Sequence, residues 1–160
     1  MKQSEGTIKA REKKPGLTIY NTKTSTAFAM ISFMVGELMY VYDSIEPPID
    51  LSVYKELSTD SFNRLKVKIF KNHKSHELIS LSLAESIQLY MLVDLACKCL
   101  VSDTNMELKN MAIESLDVDE EEYGQLRINY LRYAQSLIEK MNDKFKDNRE
   151  FASATAALKH

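Results

Sequence analysis

The sequence predicts an α+β fold, in which an antiparallel meander sheet of about five strands packs on a long helix and is followed by C-terminal helices. Three observations lead to this fold class: alternating polar and apolar residues at 64–70, a capped apolar segment that begins at Ser82, and an amphipathic stripe across residues 123–145. With 160 residues, of which 44% are hydrophobic and 28% charged, the chain is long enough for one domain and too apolar for a disordered protein.

The predicted strands lie in the first half of the chain. Residues 17–20, 27–35 and 38–42 are rich in aromatic and aliphatic side chains, and Gly36-Glu37 favours a tight reversal between the last two. At 65–70, Leu65, Val67 and Ile69 alternate with polar residues, which is typical of a half-buried antiparallel strand. Residues 77–81 would form its return strand.

The predicted helices follow these strands. Ser82 and Glu85 match a capping box, so a helix begins there and continues to about residue 101. Apolar residues surround nearly its whole circumference, which predicts burial on two sides. A shorter helix is predicted at 103–116, and an amphipathic one at about 120–146. The apolar stripe of this last helix predicts an oligomer interface, formed by Tyr123, Leu126, Tyr130, Leu137 and Met141.

These elements divide the chain into four predicted parts. Residues 1–16 form a basic disordered arm, and residues 17–101 form a sheet-plus-helix domain that binds nucleic acid. Residues 102–147 are a helical extension for oligomerisation, and residues 148–160 are a frayed tail. All of these boundaries follow from composition and periodicity.

Charge is divided unevenly between the two halves. Residues 1–99 contain 13 Lys and Arg against 11 Asp and Glu, whereas residues 100–160 contain 8 against 12. Basic residues alternating on a sheet face can follow a phosphate backbone, and aromatic rings beside them can stack on bases. The alternative is that these cations only protect an exposed strand from edge pairing. The predicted nucleic-acid-binding residues are Tyr20, Lys23, Tyr40, Tyr42, Arg64, Lys66, Lys68, Phe70, Lys71 and Lys74.

Catalytic, metal and cofactor motifs are absent from the sequence. There is no phosphate loop, dinucleotide fingerprint or nucleophile elbow. His73 and His76 are interpreted as turn residues, since a metal site needs three or four convergent ligands. Cys97 and Cys99 are too close for an ordinary disulfide and indicate a reducing cytoplasm. Asp94 is the one odd polar residue inside the apolar helix, and we interpret it as a paired residue in preference to a catalytic acid. The prediction is therefore a protein that is not an enzyme, with no metal and no cofactor.

Two segments resemble the Whirly and PUR group of single-stranded DNA-binding proteins. Residues 81–89, Leu-Ser-Leu-Ala-Glu-Ser-Ile-Gln-Leu, are similar to the Leu-Ser-x-x-Glu-x-x-x-Leu entry to the Whirly helix. Residues 20–26 lie where that group has a Lys-Gly-Lys segment after an aromatic, and Lys23 agrees with it. The resemblance covers residues 17–101. It implies a homo-oligomer that grips single strands between sheet edges.

The function predicted from these observations is non-enzymatic binding of single-stranded nucleic acid, DNA in preference to RNA, in replication, recombination, repair or transcription. The predicted protein is a cytoplasmic or nucleoid-associated dimer or tetramer without membrane association. The alternative is a helical protein-interaction or adaptor subunit with no nucleic-acid role. A third interpretation is a membrane-associated protein that uses the apolar run 27–42. That run is shorter than the roughly 20 residues of a spanning helix and contains Glu37.

Overall fold

Helices form most of the part of the chain that the structure describes. The structure is a computed structural model, and it describes residues 16–20, 23–40, 51–54, 58–71, 78–101 and 106–158. The helices are α1 (Lys23–Tyr40), α2 (Thr59–Lys71), α3 (Leu83–Leu100), α4 (Met106–Leu116), α5 (Glu120–Lys144) and α6 (Arg149–Thr155). The strands are β1 (Gly16–Tyr20) and β2 (Leu78–Ser82), and two short 3-10 turns span Leu51–Val53 and Ala156–Leu158.

Strands β1 and β2 form an antiparallel two-stranded ribbon. Gly16 lies opposite Ser82, and Tyr20 lies opposite Leu78. On β2 the alternating residues Ile79 and Leu81 are buried. The ribbon lies against α3, which supplies the apolar surface that an isolated pair of strands lacks.

The predicted five-stranded sheet is wrong, because only β1 and β2 pair within the described residues. Residues 27–35, predicted as a strand, belong to helix α1, and the next predicted strand, 38–42, begins inside the same helix. Gly36 and Glu37 therefore lie inside α1 and do not form the predicted reversal between two strands. A short apolar run fits a buried helix and a buried strand equally well, and here packing on α3, α4 and α5 selects the helix.

Residues 65–70, which the sequence predicts as a strand, lie within helix α2. Phe62, Leu65 and Ile69 are buried at spacings of three and four, whereas Val67 is 65% exposed. Val67 therefore does not lie on the buried face that Leu65 and Ile69 share. The alternation also matched a helix that buries its face from Phe62 to Ile69, so the sequence pattern did not distinguish the two structures.

Helix α3 is the centre of the fold. The Ser82 hydroxyl accepts a hydrogen bond from the Glu85 backbone N–H, and the Glu85 carboxylate accepts one from the Ser82 N–H, which confirms the predicted capping box. The helix packs against α1, α2, α5, α6 and the β-ribbon. Its buried side chains lie around most of its circumference, as expected from the sequence.

The C-terminal helices complete the same core. A second capping box, formed by Asp119 and Glu122, begins α5. Helix α6 occupies part of the predicted tail, and its Phe151 is buried with ring centroids 4.8 Å from Phe145 and 5.3 Å from Tyr90. The buried apolar residues from α1 to the final 3-10 turn form one cluster. Among the described helices, none combines the length and hydropathy needed to cross a membrane.

Candidate functional site

Three of the predicted nucleic-acid-binding residues have described side chains, and all three lie on α2. Arg64 is exposed and Lys66 is half-buried. Consecutive residues on a helix are about 100° apart, so Arg64 and Lys66 point to nearly opposite sides. The Lys68 ammonium lies 2.7 Å from the Glu85 carboxylate and forms an ion pair with it. Arg64 and Lys68 are four residues apart and lie on one side of α2, where Lys68 is paired with Glu85, whereas Lys66 lies on the other side. Because these residues belong to a helix, the predicted basic sheet face is wrong.

The other predicted nucleic-acid-binding residues fall into two groups. The first group lies on described helices and strands, but its side chains are outside the described part, and it comprises Tyr20, Lys23, Tyr40, Phe70 and Lys71. The second group lies outside the described residues and comprises Tyr42 and Lys74. The predicted turn histidines, His73 and His76, are outside them as well.

The predicted oligomer interface on α5 is covered by the chain itself. Tyr123, Tyr130, Leu137 and Met141 are buried in the core, and Leu126 is partly buried against it. The Tyr130 hydroxyl shares a hydrogen bond of 2.8 Å with the Ser32 hydroxyl of α1. A homo-oligomer stays a prediction, and its interface would need other residues.

A polar cluster connects the segment after the first 3-10 turn to helix α3. The Tyr54 hydroxyl donates a hydrogen bond of 2.8 Å to Asp94 Oδ2, and Lys98 Nζ donates one of 2.8 Å to the Tyr54 hydroxyl. Lys98 Nζ also lies 2.9 Å from Asp94 Oδ2 and 5.1 Å from the centroid of the Tyr54 ring. We call these three residues the Tyr54 cluster.

The Tyr54 cluster holds its phenol in the neutral form. Burial raises the pKa of Tyr54 far above its ordinary value, and the charge of Asp94 and the hydrogen bond to it raise it further. Asp94 is thus a paired acid, in agreement with its interpretation from the sequence. A phenol with so high a pKa is unsuited to act as a general base.

The two cysteines on α3 are also held in their neutral form. Burial raises the pKa of Cys97 to about 12, helped by the charge of Asp94, and burial raises the pKa of Cys99 to about 11. Because the thiolate is the reactive species, neither thiol has the character of a nucleophile near neutral pH. Cys99 is a member of the buried core, and Cys97 packs against it.

A groove opens between α3, α6 and the two 3-10 turns. Its volume is about 310 Å³. Ile87 and Met91 form the floor, and Val53 lines it from the first 3-10 turn. The remaining lining residues come from α6 and the turn after it: Glu150, Ser153, Ala154 and Ala157. The groove combines an apolar floor, small residues along one side and a single carboxylate, and we call it the α3–α6 groove.

The α3–α6 groove and the Tyr54 cluster are neighbours on α3. Ile87, Met91, Asp94 and Lys98 succeed each other at steps of four, three and four residues, which places them along one face of the helix. Val53 and Tyr54 are adjacent in sequence as well. Asp94 and Lys98 were the available sequence signal, because they are an acid and a base one turn apart in an apolar helix. The sequence pattern singled out Asp94, but its partners Tyr54 and Lys98 were not predicted.

Within the described residues, no group of three or more His, Cys, Asp or Glu side chains is placed to hold a metal ion. The comparisons with known proteins add no further assignment. No protein-family model matches the chain, no curated protein matches it, and no solved structure matches its fold. The resemblance to the Whirly and PUR group therefore rests on the quoted residues of 20–26 and 81–89 alone.

Proposed function

We propose that this chain is a non-catalytic helical interaction module, which holds an apolar side chain of a partner protein segment in the α3–α6 groove. The observation that carries the proposal is the groove itself, with a volume of about 310 Å³ and a floor of Ile87 and Met91. Protein ligand sites are concave and mostly apolar, with a few polar groups that fix orientation.

The lining residues indicate the chemistry of the partner segment. Ser153, Ala154 and Ala157 are small, so a partner backbone can approach α6 closely. Glu150 supplies the one charge among the lining residues, and it is exposed. A carboxylate beside an apolar floor favours an apolar side chain with a neighbouring Lys or Arg, since electrostatic complementarity fixes orientation and register.

The state of the titratable groups supports a binding role over catalysis. Tyr54, Cys97 and Cys99 all have raised pKa values and stay neutral at physiological pH. Catalytic bases and nucleophiles need a pKa near or below the working pH, so these shifts have the wrong direction for such a role.

A selection from a display library of random short peptides tests the proposal directly. The expected result is enrichment of sequences in which a large apolar residue is next to Lys or Arg. Selected peptides should bind the wild-type chain and lose at least tenfold in affinity for an Ala157→Arg variant, because the new side chain fills the groove. The Glu150→Gln variant should reduce the preference for a basic neighbour.

The matched control is Ala156→Arg. Ala156 and Ala157 are adjacent, both are exposed, and both belong to the 3-10 turn Ala156–Leu158, but only Ala157 lines the groove. Equal losses in the two variants, or no enrichment of apolar and basic residues together, would contradict the proposal. Binding of a small apolar molecule without any peptide enrichment would instead assign the groove to a small ligand.

A further inference from the structure

We propose that the Tyr54 cluster is a polar latch, which holds the 3-10 turn Leu51–Val53 against α3 and thereby sets the width of the α3–α6 groove. This inference rests on the groove being the binding site proposed above. It adds a conformational control to that site, located in residues that do not line the groove.

The first step is the attachment of the turn. Tyr54 is only 2% exposed, and its ring belongs to the buried core. Its hydroxyl both donates to Asp94 Oδ2 and accepts from Lys98 Nζ, each at 2.8 Å. Because Asp94 and Lys98 also contact each other at 2.9 Å, all three polar groups are mutually paired. A partly buried network in which each member is paired favours one arrangement of the segment that carries it.

The second step links this attachment to the groove. Val53 lines the groove and directly precedes Tyr54, so the backbone that positions the Tyr54 ring also positions the Val53 side chain. On α3, the floor residues Ile87 and Met91 share a face with the latch residues Asp94 and Lys98. A displacement of Tyr54 away from α3 would carry Val53 away from this floor and widen the groove.

The third step is the accessibility of the latch. The Lys98 side chain is 30% exposed and that of Asp94 is 17% exposed, so both can be reached from solvent. Water can therefore take the place of each partner when the latch opens. A fully buried ion pair would not allow this exchange.

Two variants separate the latch from general packing. Tyr54→Phe removes the hydroxyl and keeps the ring, and Lys98→Gln removes the cation and keeps much of the side-chain length. In the full chain labelled with methyl-¹³C methionine, both variants should shift the Met91 methyl resonance, assigned through Met91→Leu. The Met141 resonance, from the core side of α5, should stay in place. Amide exchange at Ser52, Val53 and Tyr54 should be about tenfold faster, the equilibrium equivalent of one hydrogen bond.

The matched control is Lys109→Gln, which removes the ammonium that lies 3.6 Å from the Glu120 carboxylate, in an ion pair between α4 and α5. It should leave the Met91 resonance and the exchange of residues 52–54 unchanged. Unchanged signals in both Tyr54→Phe and Lys98→Gln would overturn the latch, as would equal changes in the control.

The outcome distinguishes the latch from the proposed function, because the methyl and exchange measurements need no ligand. A response of Met91 without any peptide binding would support the latch and refute the proposed function. Equal peptide affinity in Tyr54→Phe and wild type, together with an unchanged Met91 methyl resonance, would support the proposed function and refute the latch.

Discussion

Replacing Gly36 with Ala tests how α1 and α2 pack. Gly36 lies in α1 directly beneath the Phe62 ring of α2, which also packs on Phe33 with ring centroids 5.4 Å apart. A Cβ at position 36 would overlap Phe62 Cε2 and would lie 2.8 and 2.9 Å from two further atoms of the same ring. The rigid ring must retreat by about 1 Å to reach ordinary contact at 3.4 Å, and α2 must move with it.

Two opposing terms give the expected size of the effect. Overpacking a core typically costs 1–3 kcal/mol, and contact with three ring atoms places this case near the upper end, at about 3 kcal/mol. The change from Gly to Ala within a helix stabilises the folded chain by about 1 kcal/mol. The net loss in the free energy of unfolding should be about 2 kcal/mol, which lowers the Tm of a chain of this size by roughly 4–8 °C.

Urea denaturation followed by circular dichroism at 222 nm measures the change, and Gly124→Ala is the control. Gly124 is also a helical glycine, in α5, but a Cβ built there has no neighbour within 4 Å. The control should therefore be stabilised by about 1 kcal/mol. A Gly36→Ala chain as stable as wild type would refute the reasoning. So would a double variant with Phe62→Leu whose loss equals the sum of the two single losses, since removal of the ring edge should relieve the overlap.

The remaining predictions concern charge and reactivity. Burial alone would raise the pKa of Glu85, but hydrogen bonds and the Lys68 ammonium outweigh it and lower that pKa below its ordinary value of 4.5. The stability that Glu85 contributes is therefore complete above pH 4.5 and is lost as the pH falls through its lowered value. The Tm should fall more steeply for wild type than for Glu85→Gln between pH 5 and pH 3. Because burial raises both pKa values, Cys97 and Cys99 should each react with iodoacetamide at pH 8 at least about tenfold more slowly than a free cysteine, and Cys99 should be the slower because it is buried. A fluorescent single-stranded oligonucleotide should not bind this chain in a salt-dependent manner. Binding that weakens with salt and is abolished by Arg64→Glu would favour nucleic acid over the protein partner proposed above.

Local signals in the sequence were sufficient wherever a structure depends on neighbours in the chain. The capping box at Ser82 was recognisable because it needs only a side chain and an acid three residues later. The apolar stripe of α5 was recognisable for a similar reason, since a spacing of three and four residues over this length is typical of an amphipathic helix. This stripe was predicted to contact another subunit, whereas the fold buries Tyr130 in the core of the same chain.

Sequence pattern failed for the short apolar segments. Residues 65–70 satisfy the alternation of a strand, but Leu65 and Ile69 are also one helical turn apart and extend the face of Phe62. The packing of α2 on α1 and α3 decides between the two structures, and this packing involves residues distant in the chain. The α3–α6 groove was not predicted for the same reason, because its lining comes from three segments that are distant in the chain: Val53, residues 87–91 and residues 150–157.

The sequence by itself determined where the helices α3 and α5 begin and that α3 is buried on more than one side, because capping and periodicity are local properties of the chain. The tertiary structure alone decided that residues 23–40 and 59–71 are helical and that Tyr54 reaches Asp94 and Lys98. These outcomes depend on contacts between residues distant in the chain, and such contacts exist only after the helices have packed around α3.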